Sequence, residues 1–119
     1  MTPPAAKDDC LFCRIVKGEV PADVVHAGET TIAFRDINPQ APTHVLVIPS
    51  SHYANIAELA QWEPGAVTEL FATAAEVAES EGLGDQYRLV FNTGAEAGQA
   101  VFHTHMHVLG GRPLNWPPG

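Results

Sequence analysis

The alternation of apolar and polar positions divides the chain into short helices and strands. "CLFCRIVKGEV" predicts a short helix that stops near Gly18, because Pro21 prevents its continuation. "DVVHA" and "TTIAFRD" predict two strands around a Gly-Glu turn, and the mostly apolar "HVLVIP" predicts a central strand buried on both faces. "YRLVFN" and "VFHTHMHVLGG" predict two more strands, separated by the glycine-containing loop "TGAEAGQA".

The segment "PGAVTELFATAAEVAESEG" predicts the longest helix. Pro64 fits its first turn, Gly82 fits its C-terminal cap, and "NIAEL" predicts a shorter helical turn before it. Apolar residues recur at helical spacing at Val67, Leu70, Phe71, Ala74, Val77 and Ala78. Together these elements predict an α+β domain built on an antiparallel sheet of about five strands.

Length and charge narrow the possible partners. The 119 residues suit one domain, and we expect a flexible Pro/Ala-rich segment 1–8 before a folded domain 9–119. No signal peptide and no membrane-spanning apolar run is evident, which predicts a cytoplasmic protein without a membrane partner. The net charge of -8 argues against nucleic acid, so any phosphate-bearing ligand must be small and held by local groups.

Three histidines alternate near the C-terminus. As part of a strand, His103, His105 and His107 would share one face, while the opposite face would carry Phe102, Thr104, Met106 and Val108. Because each imidazole has two polar nitrogens to satisfy, packing alone is a poor explanation for such a row. Two functions remain open: a metal site with an open position, as in metallohydrolases, or a nucleophilic imidazole supported by its neighbours.

Two other features bear on that choice. Gly94 and Gly98 let the preceding loop turn tightly and aim backbone N–H groups at an anion. Cys10 and Cys13 form a Cys-x-x-Cys pair that suits metal ligands, a redox couple or buried thiols. The redox interpretation is the weaker one, because no strand precedes the pair.

The segment "HTHMHVLGG" resembles the signature of the histidine triad (HIT) superfamily, with Thr104 at a usually apolar position. "CLFCRIVKGEVPADVV", "FRDINPQAPTHVLVIP" and "VFNTGAEAGQAVFHTHMHVLGGRPLNWPPG" extend the similarity over about 110 residues. The ending "WPPG" is similar to the histidine triad nucleotide-binding branch. This resemblance implies a HIT-like fold with two main helices, a homodimer, and a hydrolase that cleaves purine nucleoside phosphoramidates without an organic cofactor.

The resemblance also implies roles for individual residues. His105 would attack phosphorus and carry the nucleotidyl group, His107 would contact the phosphate oxygens and help protonate the leaving group, and His44 would orient the nucleophile. Asp36 would accept both ribose hydroxyls, while Asn92 and the backbone amides near Gln99 and Val101 would hold the phosphate. Five apolar residues would wall the base pocket: Leu11, Phe12, Ile15, Phe34 and Ile37. Trp116 would reach the site across the dimer.

A structural zinc site is the last feature that the resemblance implies. Bacterial relatives with Cys-x-x-Cys look like zinc binders, and the matching positions here are Cys10, Cys13, His52 and His103. One departure concerns Ala100, where many members of the branch carry serine. The missing hydroxyl would weaken catalysis by at most ~1.5–3 kcal/mol, about one hydrogen bond to a charged group. A dinucleoside polyphosphate hydrolase and a nucleotide-binding or scaffolding module with incidental catalysis remain as alternatives.

Overall fold

A computed structural model describes Lys7 and residues 9–119, so the predicted flexible segment 1–8 lies outside the described residues except for Lys7. The described residues form five strands, three α-helices and one 3-10 turn. In order they are α1 (Leu11–Val16), β1 (Val24–Ala27), β2 (Thr31–Arg35), β3 (Thr43–Pro49), α2 (Ile56–Trp62), α3 (Pro64–Ser80), β4 (Tyr87–Val90), the 3-10 turn Ala95–Ala97 and β5 (Met106–Gly110). The predicted α+β class with a five-stranded sheet is confirmed, and α3 is much the longest of the helices.

The five strands form one antiparallel sheet in the order β1-β2-β3-β5-β4. Strand β3 lies in the middle and all of its residues are buried, as its apolar sequence predicts. Alternation along β3 sends Val45 and Val47 to one face and Leu46 and Ile48 to the other.

Each face of the sheet carries its own apolar core. The first lies under α2 and α3, and its buried members include Leu59, Leu70, Val77, Met106 and Val108. The second lies under α1 and joins Phe12, Cys13 and Ile15 to Phe34, Leu46 and Ile48. A six-residue helix is marginal alone, so packing of its apolar side chains on the sheet stabilises α1.

The C-terminal strand is shorter than its sequence predicts. It begins at Met106, and residues 101–105 approach it as irregular chain. Thr104 explains the difference, because its backbone N–H and its hydroxyl both donate to the Tyr53 carbonyl, at 2.8 and 3.1 Å, instead of joining a neighbouring strand. Thr104 and Met106 are buried as predicted, whereas Phe102, which was expected on the same face, is 51% exposed.

Within residues 7 and 9–119, no helix is both long and apolar enough to cross a membrane.

Candidate active site and metal cluster

A cavity of about 740 Å³ opens on the α1 side of the sheet. This volume is in the range of small-molecule sites. His105 and His107 lie on its wall, as do Asp36 and Val101. The cavity is also lined by all five apolar residues that the resemblance places around a purine base: Leu11, Phe12, Ile15, Phe34 and Ile37. Of these, Ile37 is fully exposed.

His105 has one ring nitrogen fixed and one free. Its Nδ1 lies 2.8 Å from the His103 carbonyl oxygen, which can only accept, so Nδ1 carries the proton. The other nitrogen, Nε2, therefore has a lone pair, and it has no hydrogen-bond partner among the described residues. The Phe12 ring stands edge-on to this imidazole, with ring centroids 5.2 Å apart. His105 thus presents an unprotonated ring nitrogen at the cavity wall.

His107 is fixed through His44. The register of β3 with β5 pairs His107 with Leu46, which puts His44 diagonally beside it on the same face. His44 Nδ1 accepts the Gln40 N–H at 3.0 Å, so its Nε2 carries the proton and donates to His107 Nδ1 at 2.8 Å. His107 must then hold its own proton on Nε2, a buried atom without a partner in the described structure.

The histidines around the cavity favour their neutral forms. Burial, aided by the neighbouring His105 and His44, lowers the pKa of His107 to about 4. Burial also lowers the pKa of His105 and of His44, and for His44 the Asp36 carboxylate opposes the shift. At neutral pH the site therefore offers a neutral imidazole at His105 and a neutral N–H donor at His107.

Asp36 sits at the turn after β2 and faces the histidines. Its Oδ1 accepts the Asn38 N–H at 2.8 Å, and its Oδ2 lies 3.4 Å from His44 Nε2. Each carboxylate oxygen has a second lone pair, so the group can still accept hydroxyls from a ligand in the cavity.

The loop before β5 differs in part from what its sequence predicts. Gln99 is buried and builds the loop, since its backbone N–H donates to Gly94 O at 3.1 Å and its side chain bonds Gly94 N, Ala54 O and Val101 O. Its backbone N–H and its side-chain amide are therefore both committed to hydrogen bonds within the protein. The Val101 N–H has no partner among the described residues. Asn92 lies beside Gly98, a residue of the cavity wall, since a Cβ on Gly98 would be 3.7 Å from the Asn92 amide.

The four residues that the resemblance implies as zinc ligands come together, and none of them is part of the cavity wall. Their ligand atoms all lie within 4.8 Å of one another: Cys10, Cys13, His52 and His103. Cys13 Sγ lies 3.3 Å from His52 Nδ1 and 3.4 Å from His103 Nδ1, and the two Nδ1 atoms are 3.2 Å apart. Tetrahedral zinc with bonds of about 2.0–2.3 Å separates its ligand atoms by about 3.3–3.8 Å, so the spacing fits zinc.

Protonation of His103 supports the same fit. His103 Nε2 lies 2.9 Å from the Pro49 carbonyl oxygen and so carries the proton. The lone pair on Nδ1 then faces both sulfur atoms and His52, where one hydrogen bond cannot serve three neighbours. Burial raises the pKa of the Cys13 thiol, and a bound cation would be needed to keep it as a thiolate. With four protein ligands, such a site is closed and structural.

A second group of possible ligands, formed by Asp36, His44 and His107, does not fit a metal as well. Its histidine nitrogens are 2.8 Å apart, a hydrogen-bond distance. Furthermore, a neutral His44 bound to metal through Nε2 would carry its proton on Nδ1, where the Gln40 N–H already donates. The histidine triad therefore divides between the two sites, with His103 in the cluster and the other two at the cavity.

Several groups that position the site could not be seen in the sequence. The carbonyls of Pro49 and His103 and the N–H of Gln40 are backbone atoms, and no residue type marks them. Arg112, which donates to Gln40 O at 2.8 Å, was missed as well. Trp116 is 80% exposed, lies against Arg88 and is absent from the cavity wall of its own chain, so its expected contact across a dimer stays a prediction.

Comparison with known proteins agrees with this geometry. Residues 17–114 match the HIT domain family. A 14 kDa zinc-binding protein from Zea mays is 46% identical over 111 residues, which cover 92% of this chain and 87% of the relative. The crystal structure of a HIT family hydrolase from Legionella pneumophila is 47% identical with a TM-score of 0.90, covering 93% of this chain and 100% of that one. A histidine triad nucleotide-binding protein from Candida albicans is 28% identical with a TM-score of 0.79, covering 92% and 83%. The chain thus belongs to the HIT domain family.

Proposed function

We propose that this protein is a nucleotide-binding hydrolase that cleaves purine nucleoside phosphoramidates through a covalent nucleotidyl-His105 intermediate. The observation that carries the proposal is the fixed orientation of His105. Its Nδ1–H is held by the His103 carbonyl, so the lone pair of Nε2 is available at a cavity of nucleotide size. The relatives named as a hydrolase and as a nucleotide-binding protein support the same class of function.

The cavity offers a separate group for each part of a nucleoside monophosphate. The apolar wall, including Phe12 and the exposed Ile37, suits stacking against a purine. Asp36 suits the two ribose hydroxyls, because a carboxylate accepts hydrogen bonds through both oxygens. The Nε2–H of His107 and the free N–H of Val101 suit the phosphoryl oxygens. We assign Asn92 to the same phosphate contact through its place beside Gly98.

The reaction proceeds in two displacements. His105 Nε2 attacks phosphorus, the P–N bond to the amine breaks, and the departing nitrogen takes a proton from water. Water then attacks phosphorus, the bond to His105 breaks, and the nucleoside monophosphate leaves while Nε2 regains its lone pair. The proton that this water gives up neutralises the hydroxide left by the first step. Phosphoryl transfer depends mostly on positioning and on electrostatic support of the oxygens, which a neutral donor at His107 supplies.

The experiment is intact-mass analysis after rapid quenching with an adenosine phosphoramidate. We expect one nucleotidyl group on the wild-type chain and none on His105→Asn, whereas His26→Asn on β1 serves as the control that keeps the adduct. Undiminished turnover in His105→Asn would refute the mechanism. Faster cleavage of diadenosine polyphosphates would favour the dinucleoside polyphosphate hydrolase, and AMP binding without any turnover would favour the binding module.

We also propose that Cys10, Cys13, His52 and His103 hold one structural zinc. The ion would tie α1 to the segment that carries His103, and the His103 carbonyl orients His105. Elemental analysis of the purified protein should find about one zinc per chain. The Cys10→Ser variant should lose zinc and melt at a lower temperature than the wild type. If a chelator abolished the activity of the wild type without lowering its melting temperature, the metal would be catalytic and the protein a metallohydrolase.

The protein is further proposed to form a homodimer. Strand β4 is an edge strand that pairs only with β5 in the described structure, and its residues are half-buried. The exposed ring of Phe71 on α3 lies 6.2 Å from that of Phe91, the residue after β4, so an apolar patch continues the edge. Sedimentation velocity should find a dimer for the wild type and a monomer for Phe71→Glu. A monomeric wild type would contradict the proposal.

A further inference from the structure

A chain of hydrogen bonds runs from the surface to the cavity through the segment between β2 and β3. Arg112 Nη2 donates to the Gln40 carbonyl at 2.8 Å, and the backbone N–H of Gln40 donates to His44 Nδ1 at 3.0 Å. His44 Nε2 then lies 2.8 Å from His107 Nδ1. The chain ends at the buried, unpartnered Nε2 of His107.

The links from the Gln40 N–H onward fix the proton positions of the two histidine rings. A backbone N–H can only donate, so Gln40 allows His44 to carry its proton on Nε2 alone while the ring is neutral. That proton points at His107 Nδ1, and the second ring must keep its own proton on Nε2. If the Gln40 N–H moved away, both rings could reverse, and the cavity would face a lone pair of His107 in place of a donor.

The sequence brings Arg112 to this position through Gly111. Gly111 has φ +95°, and a Cβ there would be 2.8 Å from Pro42 Cβ, so only glycine lets the chain turn against the Gln40 segment. Arg112 uses its other terminal nitrogen on Pro113 O at 2.9 Å and forms no ion pair within the described residues. Its guanidinium is therefore committed to carbonyl groups, one of which belongs to Gln40.

We propose that Arg112 is a positioning residue that sets the tautomers of His44 and His107 through the backbone of Gln40. The tautomers stand on the geometry alone, whereas the effect on turnover rests on the proposed function. A merely structural tie of Arg112 to the loop would change stability and leave the proton positions as they are.

The test is two-dimensional ¹H–¹⁵N NMR of the full-length protein labelled on its histidine rings, which distinguishes protonated from unprotonated ring nitrogens. At neutral pH we expect the wild type to show His44 and His107 with the proton on Nε2. In Arg112→Met this single tautomer should give way to a mixture in both rings. Arg112→Lys, which can still donate to the carbonyl, should retain the wild-type pattern.

Two variants of Gln40 distinguish its side chain from its backbone N–H. Gln40→Ala removes the side chain and keeps the peptide, so its ring spectrum should equal that of the wild type. Gln40→Pro removes the N–H itself, and its spectrum should show the same mixture as Arg112→Met. A change in Gln40→Pro without one in Arg112→Met would overturn the part assigned to Arg112. Wild-type tautomers in both variants would overturn the whole proposal.

Kinetics supply the second readout. Arg112→Met should lower kcat on an adenosine phosphoramidate by about threefold to tenfold, the effect of one exposed hydrogen bond, with KM unchanged within about twofold. Arg112→Lys and Gln40→Ala should stay near the wild-type rate. If the wild type turned over no phosphoramidate while the tautomers shifted as expected, the proposed function would fail and the positioning role would stand.

Discussion

Replacement of His107 by asparagine tests what the triad does at the phosphate. An asparagine Oδ1 takes the place of the imidazole Nδ1, so the donor on His44 Nε2 keeps its acceptor, 2.8 Å away in the wild type. What disappears is the buried Nε2–H at the cavity. The variant therefore separates the hydrogen bond to the ligand from the packing and bonding behind it.

The expected size of the effect follows from the kind of bond lost. A hydrogen bond to a charged phosphoryl oxygen contributes ~1.5–3 kcal/mol, so kcat/KM should fall about 10-fold to 150-fold. Because burial lowers the pKa of His107 to about 4, the ring is almost wholly neutral at pH 7.5. A neutral ring is a poor proton source for the departing amine, so we expect the loss to be the same for weakly and strongly basic amines.

The assay is steady-state hydrolysis of adenosine phosphoramidates that differ in the basicity of the amine. Thermal unfolding of His107→Asn checks that the variant is folded. A loss that grew with amine basicity would refute the hydrogen-bond role and establish His107 as the acid that protonates the leaving group. A loss below about twofold for every substrate would refute any contact between His107 and the reacting phosphate.

Three further predictions concern stability and rate. Folding lowers the pKa of His107 from its ordinary value of 6.5 to about 4, which favours the neutral ring, and His105, His44 and Asp36 face that ring. The contribution of this ring to the free energy of unfolding is therefore complete above pH 6.5 and is lost as the pH falls towards 4. Urea unfolding should therefore show that the free energy of unfolding falls between pH 7 and pH 4.5 by about 1–3 kcal/mol less in His107→Asn than in the wild type. An equal fall in both proteins would contradict the assignment. Gly111→Ala should lower the melting temperature by roughly 4–10 °C, since its Cβ would meet Pro42 at φ +95°, whereas Gly65→Ala in α3, where a Cβ has open space, should not lower it. Ala100→Ser, at the cavity wall, should raise kcat/KM on a phosphoramidate by at most about 150-fold, and a decrease would show that the hydroxyl has no acceptor there.

Much of the fold followed from local pattern. Alternation in β1 and β2, the apolar run of β3 and the helical spacing of α3 each specify an element through a period of two or 3.6 residues. The α+β class and the number of strands follow from the order of those elements. Periodicity was a poor guide at residues 101–105, where a tertiary contact of Thr104 with the Tyr53 carbonyl replaced the expected ladder.

The candidate site could also be predicted only in part from the sequence. Residue types and the family resemblance identified the four possible zinc ligands, the two histidines of the cavity wall and its apolar residues, because imidazole, thiol and apolar side chains are visible in a sequence. The sequence could not show that the Gln99 amide is committed to Gly94.

By itself, the sequence determined which chemical groups are present and which secondary structures carry them. Tertiary structure decided where each proton lies, since the Gln40 amide and the carbonyls of His103 and Pro49 orient His44, His105 and His103. Every residue except proline has the same backbone donor and acceptor, so only the folded path of the chain selects the few that meet an imidazole. An imidazole becomes a nucleophile, a donor or a ligand according to which of its two nitrogens holds the proton, and that choice was made by the fold.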